Sequence, residues 1–140
     1  MLRLAAIVLL LGVSPAVADP VHVILNFTCI LEGMYEDTPW CGHLTLYEHD
    51  SISSHDVLKT DQFCWTGVQK QLQYEVSPGG DLSPNYEINF ALSHNCTIFN
   101  RMKCFNPKEP KDTTRYGEST VQFDVVLFEE GEEDECKPVA

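Results

Sequence analysis

The chain has 140 residues, with nine Lys and Arg against 21 Asp and Glu and a formal net charge of −12 at pH 7. So acidic a surface argues against nucleic acid as a partner, because the phosphate backbone would repel it. The length is that of a single domain with room for a hydrophobic core.

The first eighteen residues have the features of a cleaved signal peptide. A single positive charge at Arg3 precedes an apolar run over 4–13, and Ala16 and Ala18 form the small-residue cleavage pattern. The run is shorter than the ~20 apolar residues that span a bilayer. We therefore predict that 1–18 is a signal peptide and that 19–140 is one secreted, extracellular domain with no transmembrane segment.

Alternation of apolar and polar residues predicts a series of short strands, bounded by Gly, Pro, Asn and Asp. Leu44 and Leu46, for example, fall on one face of their strand. Only 53–58 has a helical pattern, enough for one turn. Many short strands separated by turns predict an all-β sandwich or barrel. The predicted strands are 21–29, 43–49, 69–76, 85–92, 101–105 and 120–128.

The acidic C-terminal segment 129–135 precedes Cys136. A run of like charges repels itself and is usually solvated, although a disulfide at Cys136 would tie it to the domain. Its carboxylates could gather calcium, which takes six to eight oxygen ligands, but the spaced D-x-D-x-D-G loop is missing. A solvated segment without a metal site is the preferred interpretation.

All six cysteines lie after the predicted signal peptide. An even number in an exported chain predicts three disulfides, and about fifteen pairings stay open at this point. No C-x-x-C occurs, which argues against a zinc ribbon or a thioredoxin-type redox site. Two sequons predict N-glycans at Asn26 and Asn95. The cysteines are Cys29, Cys41, Cys64, Cys96, Cys104 and Cys136.

No residue pattern points to catalysis. His43, His49 and His55 recur every six residues, about 20 Å along a strand, which is too far for two ligands of one metal. We interpret them as solvated and His94 as structural. Six cysteines that can all pair leave no thiolate nucleophile, and no G-x-S-x-G elbow is present. The sequence therefore predicts a non-enzyme with no catalytic residue, no cofactor and no metal.

An ordered set of segments across 23–136 resembles the transthyretin-like family of secreted nematode proteins. The matching segments are Cys29 at the end of the first strand, L-T-L-Y-E-H-D over 44–50, D-V-L over 56–58, H-N-C over 94–96, Cys104, the closing strand over 121–127, and Cys136. The resemblance implies a transthyretin-type antiparallel β-sandwich of about seven or eight strands, stapled by disulfides.

Cys41 and Cys64 are additions to the pattern of that family. The resemblance therefore implies that Cys41 pairs with Cys64, while the other four cysteines form bridges that the sequence leaves unassigned. It implies little about activity, since one fold hosts unrelated functions.

Export, disulfides and the missing catalytic pattern together predict a non-enzymatic binding or bridging module. Its partner would be an extracellular protein, a glycan or a lipid-associated molecule. The alternative is an extracellular carrier of a small hydrophobic ligand, which requires a dry cavity. Exposed aromatic residues often anchor partners, and the aromatic residues outside clean strands, Trp40, Trp65 and Phe99, are therefore candidates for binding. The oligomeric state stays open.

Overall fold

The computed structural model describes residues 19–30, 38–50, 54–79 and 83–139, so the predicted signal peptide lies outside the described part. Within these residues, nine strands form two sheets, one ordered β4-β1-β8 and the other β3-β2-β5-β6-β9, with β7 also paired to β5. The predicted all-β, disulfide-stapled sandwich is confirmed. The strands are β1 (Val21–Thr28), β2 (Pro39–Glu48), β3 (Asp56–Thr66), β4 (Gln69–Val76), β5 (Asn85–His94), β6 (Lys103–Phe105), β7 (Lys111–Thr114), β8 (Ser119–Val126) and β9 (Glu132–Glu133).

The three-stranded sheet is built around β1, whose residues alternate between buried and half-buried along its whole length. Its β-branched and aromatic residues suit a pleated surface with one face in the core. β4 pairs with it antiparallel, but β8 pairs with it parallel, so Val23 faces both Tyr74 and Val121. The sandwich is thus not wholly antiparallel, because the chain crosses the other sheet before β8 returns beside β1.

The core fills the space between the two sheets. Phe90 of the larger sheet packs edge-on against Phe27 and Phe123 of the smaller sheet, with ring centroids 5.7 and 5.1 Å apart. Edge-to-face geometry is the preferred contact of aromatic rings and adds to the area that they bury. The inward residues predicted for β5 are buried, as their alternation requires. They are Tyr86, Ile88, Phe90 and Leu92.

The alternation in the sequence does not reveal β3, the first strand of the larger sheet. Its eleven residues are mostly exposed, since β3 lies at the sheet edge, and an exposed strand carries no two-residue apolar period. The predicted helical turn over 53–58 is wrong for Asp56–Leu58, which belongs to β3. Leu58 is an extra residue at a bulge, because Leu46 pairs with Lys59 and Tyr47 with Val57.

Three disulfides staple the sandwich. Cys29–Cys96 joins the end of β1 to the chain just beyond β5, and so connects the two sheets. Cys41–Cys64 links directly opposed residues of β2 and β3, and it is the pair that the resemblance implied. Cys104–Cys136 fastens the C-terminal segment to β6.

The acidic segment 129–135 is fastened to the domain through its backbone, while most of its side chains stay exposed. Lys103 donates a hydrogen bond of 2.7 Å to the carbonyl oxygen of Glu129, and its Nζ lies 3.3 Å from a carboxylate oxygen of the same residue. The backbone N–H of Ile98 donates to that carboxylate and holds the pKa of Glu129 below its ordinary value. Two residues of the segment form β9.

Candidate functional site

Most of the exposed large apolar side chains of the described residues lie at one end of the sandwich. The strand register defines this end. In the smaller sheet, Thr28 at the end of β1 faces Gln69 of β4 and Val126 of β8. In the larger sheet, Trp65 near the end of β3 faces Trp40 of β2. Six of the eight such side chains are here, with 39–75 % of their surface exposed. We call them the apolar pole: Ile30, Trp65, Val68, Ile98, Phe99 and Val126.

Backbone bonds between the ends of the sheets fix the chain segments that form the apolar pole. The N–H of Cys29 donates to the carbonyl of Val68 at 2.7 Å, and the N–H of Leu127 donates to that of Thr28 at 2.8 Å. The Cys29–Cys96 disulfide adds a covalent link to the loop after β5. The pole is therefore held by the scaffold, which lowers the entropy cost of binding.

The loop 95–101 presents the two most exposed members of the pole, Ile98 and Phe99. The side chain of Asn95 accepts a hydrogen bond of 2.6 Å from the N–H of Cys41. The Thr97 hydroxyl donates to the carbonyl of Arg101 and accepts from its N–H, at 3.0 and 2.7 Å. In these bonds the polar side chains of Asn95 and Thr97 pair with backbone groups and close the loop. The apolar side chains of Ile98 and Phe99, at its tip, face solvent.

A cation accompanies each of the two aromatic residues of the pole. The guanidinium carbon of Arg101 lies 5.6 Å from the centre of the Phe99 ring, and the Nζ of Lys70 lies 4.4 Å from that of Trp65. Contacts of this kind are worth about 0.5–1 kcal/mol at exposed sites. They restrict both rings and place positive charge beside them on an otherwise acidic protein.

Trp40 is buried, so the prediction that it lies outside the strands and contacts a partner is wrong. It lies within β2 and is only 2 % exposed, because its ring packs edge-on against Phe63. Its indole N–H donates to the carbonyl of Gly67 in the β3–β4 turn. Gly67 has φ of +136°, and an added Cβ would lie 3.1 Å from Trp65, so this turn requires glycine. Trp40 supports the pole from beneath.

The structure thus brings two of the three predicted aromatic candidates, Trp65 and Phe99, to the same exposed surface. Sequence reasoning missed the four aliphatic members of the pole. Ile30 directly follows Cys29, and Ile98 lies two residues after Cys96. An apolar residue close to a cysteine and outside any alternating run was a signal for these two residues, whereas Val68 and Val126 carried none.

A groove of about 910 Å³ lies between the outer face of the larger sheet and the C-terminal segment. Its floor includes Tyr47, whose hydroxyl lies 3.1 Å from the side chain of Asn106 and whose pKa is raised by burial. The imidazole of His55 stacks on Tyr47. The groove is open and has a mixed lining that includes acidic residues of the segment.

The side chains of His49 and His55 are in contact, although the sequence predicts that they are far apart and solvated. Their ring centroids are 4.6 Å apart, and Nδ1 of His49 lies 3.4 Å from a carboxylate oxygen of Glu87. The N–H of Asp50 donates to Nδ1 of His55. His43 is exposed. In the described part of the chain, no three His, Cys, Asp or Glu side chains are arranged to hold a metal.

His94 is fully buried and has a structural role. The N–H of Cys96 donates to its Nδ1 at 3.3 Å, so Nε2 carries the hydrogen and donates to the carbonyl of Glu130 at 3.1 Å. His94 thereby joins the loop after β5 to the C-terminal segment. Burial lowers the pKa of this imidazole, which is therefore neutral in the folded protein near pH 7.

The buried His94 should make the protein less stable as the pH falls below the ordinary histidine pKa of about 6.5. Because the pKa is lower in the folded state, the unfolded chain binds more protons in that window, and stability drops between pH 7 and pH 5. Gln offers both an acceptor and a donor and does not titrate. Urea midpoints measured across this range should therefore depend less on pH in His94→Gln than in the wild type, and equal dependence would contradict the assignment.

The fold and the pole define the class: a small all-β sandwich, stapled by disulfides, with an exposed apolar end. A family model described as "Caenorhabditis elegans protein of unknown function (DUF870)" matches residues 25–139. The chain belongs to this family. No curated protein and no solved structure matches the chain. The family match gives no link to transthyretin-like proteins, so that resemblance stays a prediction. No helix of the described residues is long and apolar enough to cross a membrane.

Proposed function

We propose that the protein is a secreted, non-enzymatic binding module that docks a partner protein through its apolar pole. The observation that carries the proposal is the gathering of six exposed apolar side chains at one end of the sandwich. Exposed apolar surface that is concentrated in one place is typical of interaction sites, whereas scattered single residues are ordinary. Trp and Arg, both enriched among binding hot spots, occur here as Trp65 and Arg101.

Secretion is supported by the cysteines and by the position of one sequon. All six cysteines are paired, as expected in an oxidising compartment. Asn26 lies on the outer face of β1, with its side chain hydrogen-bonded to Asp124 and Gln71. A glycan at Asn26 would project from this broad face. The second sequon residue, Asn95, holds the loop of the pole.

The carrier of a small hydrophobic ligand is supported less well. Such a carrier needs an apolar cavity that shields the ligand from water. The space between the sheets is occupied by a contiguous cluster of buried side chains, including Phe27, Phe90 and Phe123. The groove beside the C-terminal segment is open to solvent, and its mixed lining includes Glu132 and Glu133, which suits an apolar ligand poorly.

Replacing Phe99 with Ala should weaken partner binding about tenfold or more, which is 1.4 kcal/mol, because an aromatic anchor is lost. Tyr116→Ala is the matched control: Tyr116 is 78 % exposed and Phe99 75 %, but Tyr116 lies near the start of β8, at the opposite end of the sandwich. The oxidised protein and both variants would be compared by quantitative affinity capture from extracellular fluid. Equal capture by wild type and Phe99→Ala, or equal losses in both variants, would contradict the proposal.

A further inference from the structure

The outer edge of β3 is unpaired in the described part of the chain. β3 lies at one end of the strand order of the larger sheet and hydrogen-bonds with β2 on its other side. It is the longest of the described strands, with eleven residues. A free edge presents backbone N–H and C=O groups that can pair with a further strand, and proteins use such edges for recognition.

The flank formed by β3 and β4 leaves several core-contacting apolar side chains only partly buried. Leu58 and Phe63 of β3, and Leu72 and Tyr74 of β4, pack against the core but are not enclosed by it. A second strand beside β3 would extend the sheet over this flank and complete their burial. The flank thus combines a free backbone edge with apolar area that stays uncovered.

Two residues of opposite charge, Lys59 and Asp61, lie in the middle of this flank. The Tyr74 hydroxyl donates a hydrogen bond of 2.6 Å to Asp61, and the Nζ of Lys59 lies 5.9 Å from the Tyr74 ring centre. Lys59 and Asp61 are two residues apart, so they lie on the same face of β3. The bond from Tyr74 also holds the pKa of Asp61 below its ordinary value, and Asp61 is charged at neutral pH.

We propose that two copies of the chain pair through antiparallel β3 strands, with the two-fold axis at Thr60. In a two-fold pair, a residue one position before the axis faces the residue one position after it on the other copy. Lys59 therefore faces Asp61 of the partner subunit, and Asp61 faces the partner subunit's Lys59. The result is two opposite-charge cross-strand pairs at the centre of one interface.

The alternative role for these charges is to block pairing, as charged residues often do on edge strands. Blocking is strongest when like charges meet. Shifting the axis by one residue, to Asp61, would set the two Asp61 carboxylates against each other. The axis at Thr60 instead brings opposite charges together, so the same two residues favour one register and oppose its neighbour. This self-complementarity identifies a second copy of the chain as the occupant.

A charge-swap experiment tests the dimer. Sedimentation velocity of the oxidised protein from micromolar to millimolar concentration should show a monomer–dimer equilibrium. Lys59→Asp and Asp61→Lys should each raise the dimer dissociation constant about tenfold or more, because each sets two like-charge pairs across the interface. The double variant Lys59→Asp with Asp61→Lys restores opposite charges and should return the constant to within about threefold of wild type.

Two matched variants separate pairing from folding. Tyr74→Phe removes the hydrogen bond to Asp61 but keeps both edge charges, and it should dimerise like wild type. Lys108→Asp makes the same charge change as Lys59→Asp at an exposed position away from β3, and it should leave the equilibrium unchanged. Circular dichroism would check that each variant is folded. A wild type that stays monomeric throughout, or single variants that dimerise normally, or a double variant that stays as weak as the singles, would overturn the proposal.

Discussion

Replacing Cys29 and Cys96 together with Ala should lower the free energy of unfolding by about 4 kcal/mol or more. The bridge closes a loop of 67 residues, and the entropy that it removes from the unfolded chain is worth about 4 kcal/mol. Both half-cystines are also buried, so the replacement loses packing between the two sheets. Small domains have a total stability of about 5–15 kcal/mol, so this loss is a large part of it.

The matched control for this change is the double replacement of Cys41 and Cys64. That bridge spans 23 residues and joins neighbouring strands of one sheet, with Cys64 exposed. The difference in loop length alone predicts a loss smaller by about 1 kcal/mol, and the packing loss should be smaller too. Urea unfolding followed by circular dichroism measures both. If removing Cys41 and Cys64 lowered the free energy of unfolding equally or more, the bridge between the sheets would not be the more stabilising of the two.

Strands with one face in the core could be predicted from the sequence, even at a sheet edge, as with β4 and β8, whereas the exposed strands β3 and β7 could not. In β1, burial of one face forces apolar residues to alternate with others, as at Val21, Val23 and Leu25. In β3 both faces are largely exposed, so burial selects no pattern and Val57 can be exposed. β7 likewise lies outside the predicted strands, because Lys111–Thr114 contains no large apolar residue.

The candidate site was only partly predictable for a related reason. The exposure of Phe99 and the burial of Trp40 depend on which chain ends the sheets bring together, and Trp40 faces Trp65 only because β2 and β3 pair in one particular register. The meeting of His49 and His55 likewise depends on the turn of the chain before β3. Residue type alone marks such side chains as candidates, whereas tertiary contacts decide which of them stay exposed.

The pole and the free edge of β3 have a joint consequence. Trp65 belongs to the pole and lies near one end of β3, while Val57 lies near the other end. Strands paired antiparallel point in opposite directions, so a dimer through β3 would carry its two poles at opposite ends. Such a dimer would engage two partners at once, and bivalency raises the effective concentration of the second contact. The proposed dimer would thus make the binding module a bridging one.

Replacing Phe90 with Ala should lower the free energy of unfolding by about 3–5 kcal/mol, the usual cost of truncating a buried aromatic residue. Phe90 is fully buried, and its ring contacts those of Phe27, Phe123 and Phe105 at centroid distances of 5.7, 5.1 and 6.0 Å. Its removal would leave a cavity between the two sheets, and the neighbouring rings, held by backbone in both sheets, can close it only in part. Urea unfolding followed by tryptophan fluorescence measures the loss, since Trp40 is buried.

Replacing Phe99 with Ala should leave stability nearly unchanged and weaken partner binding, in contrast to Phe90→Ala. The Phe99 ring is 75 % exposed, so Phe99→Ala should change the free energy of unfolding by no more than about 0.5 kcal/mol. Phe90→Ala would therefore lose stability, while Phe99→Ala would lose partner binding and keep its urea midpoint. A Phe99→Ala variant as unstable as Phe90→Ala would mean that this ring supports the fold, and the apolar pole would then lose its most exposed contact residue. The two phenylalanines thus separate what holds the sandwich together from what it presents to a partner.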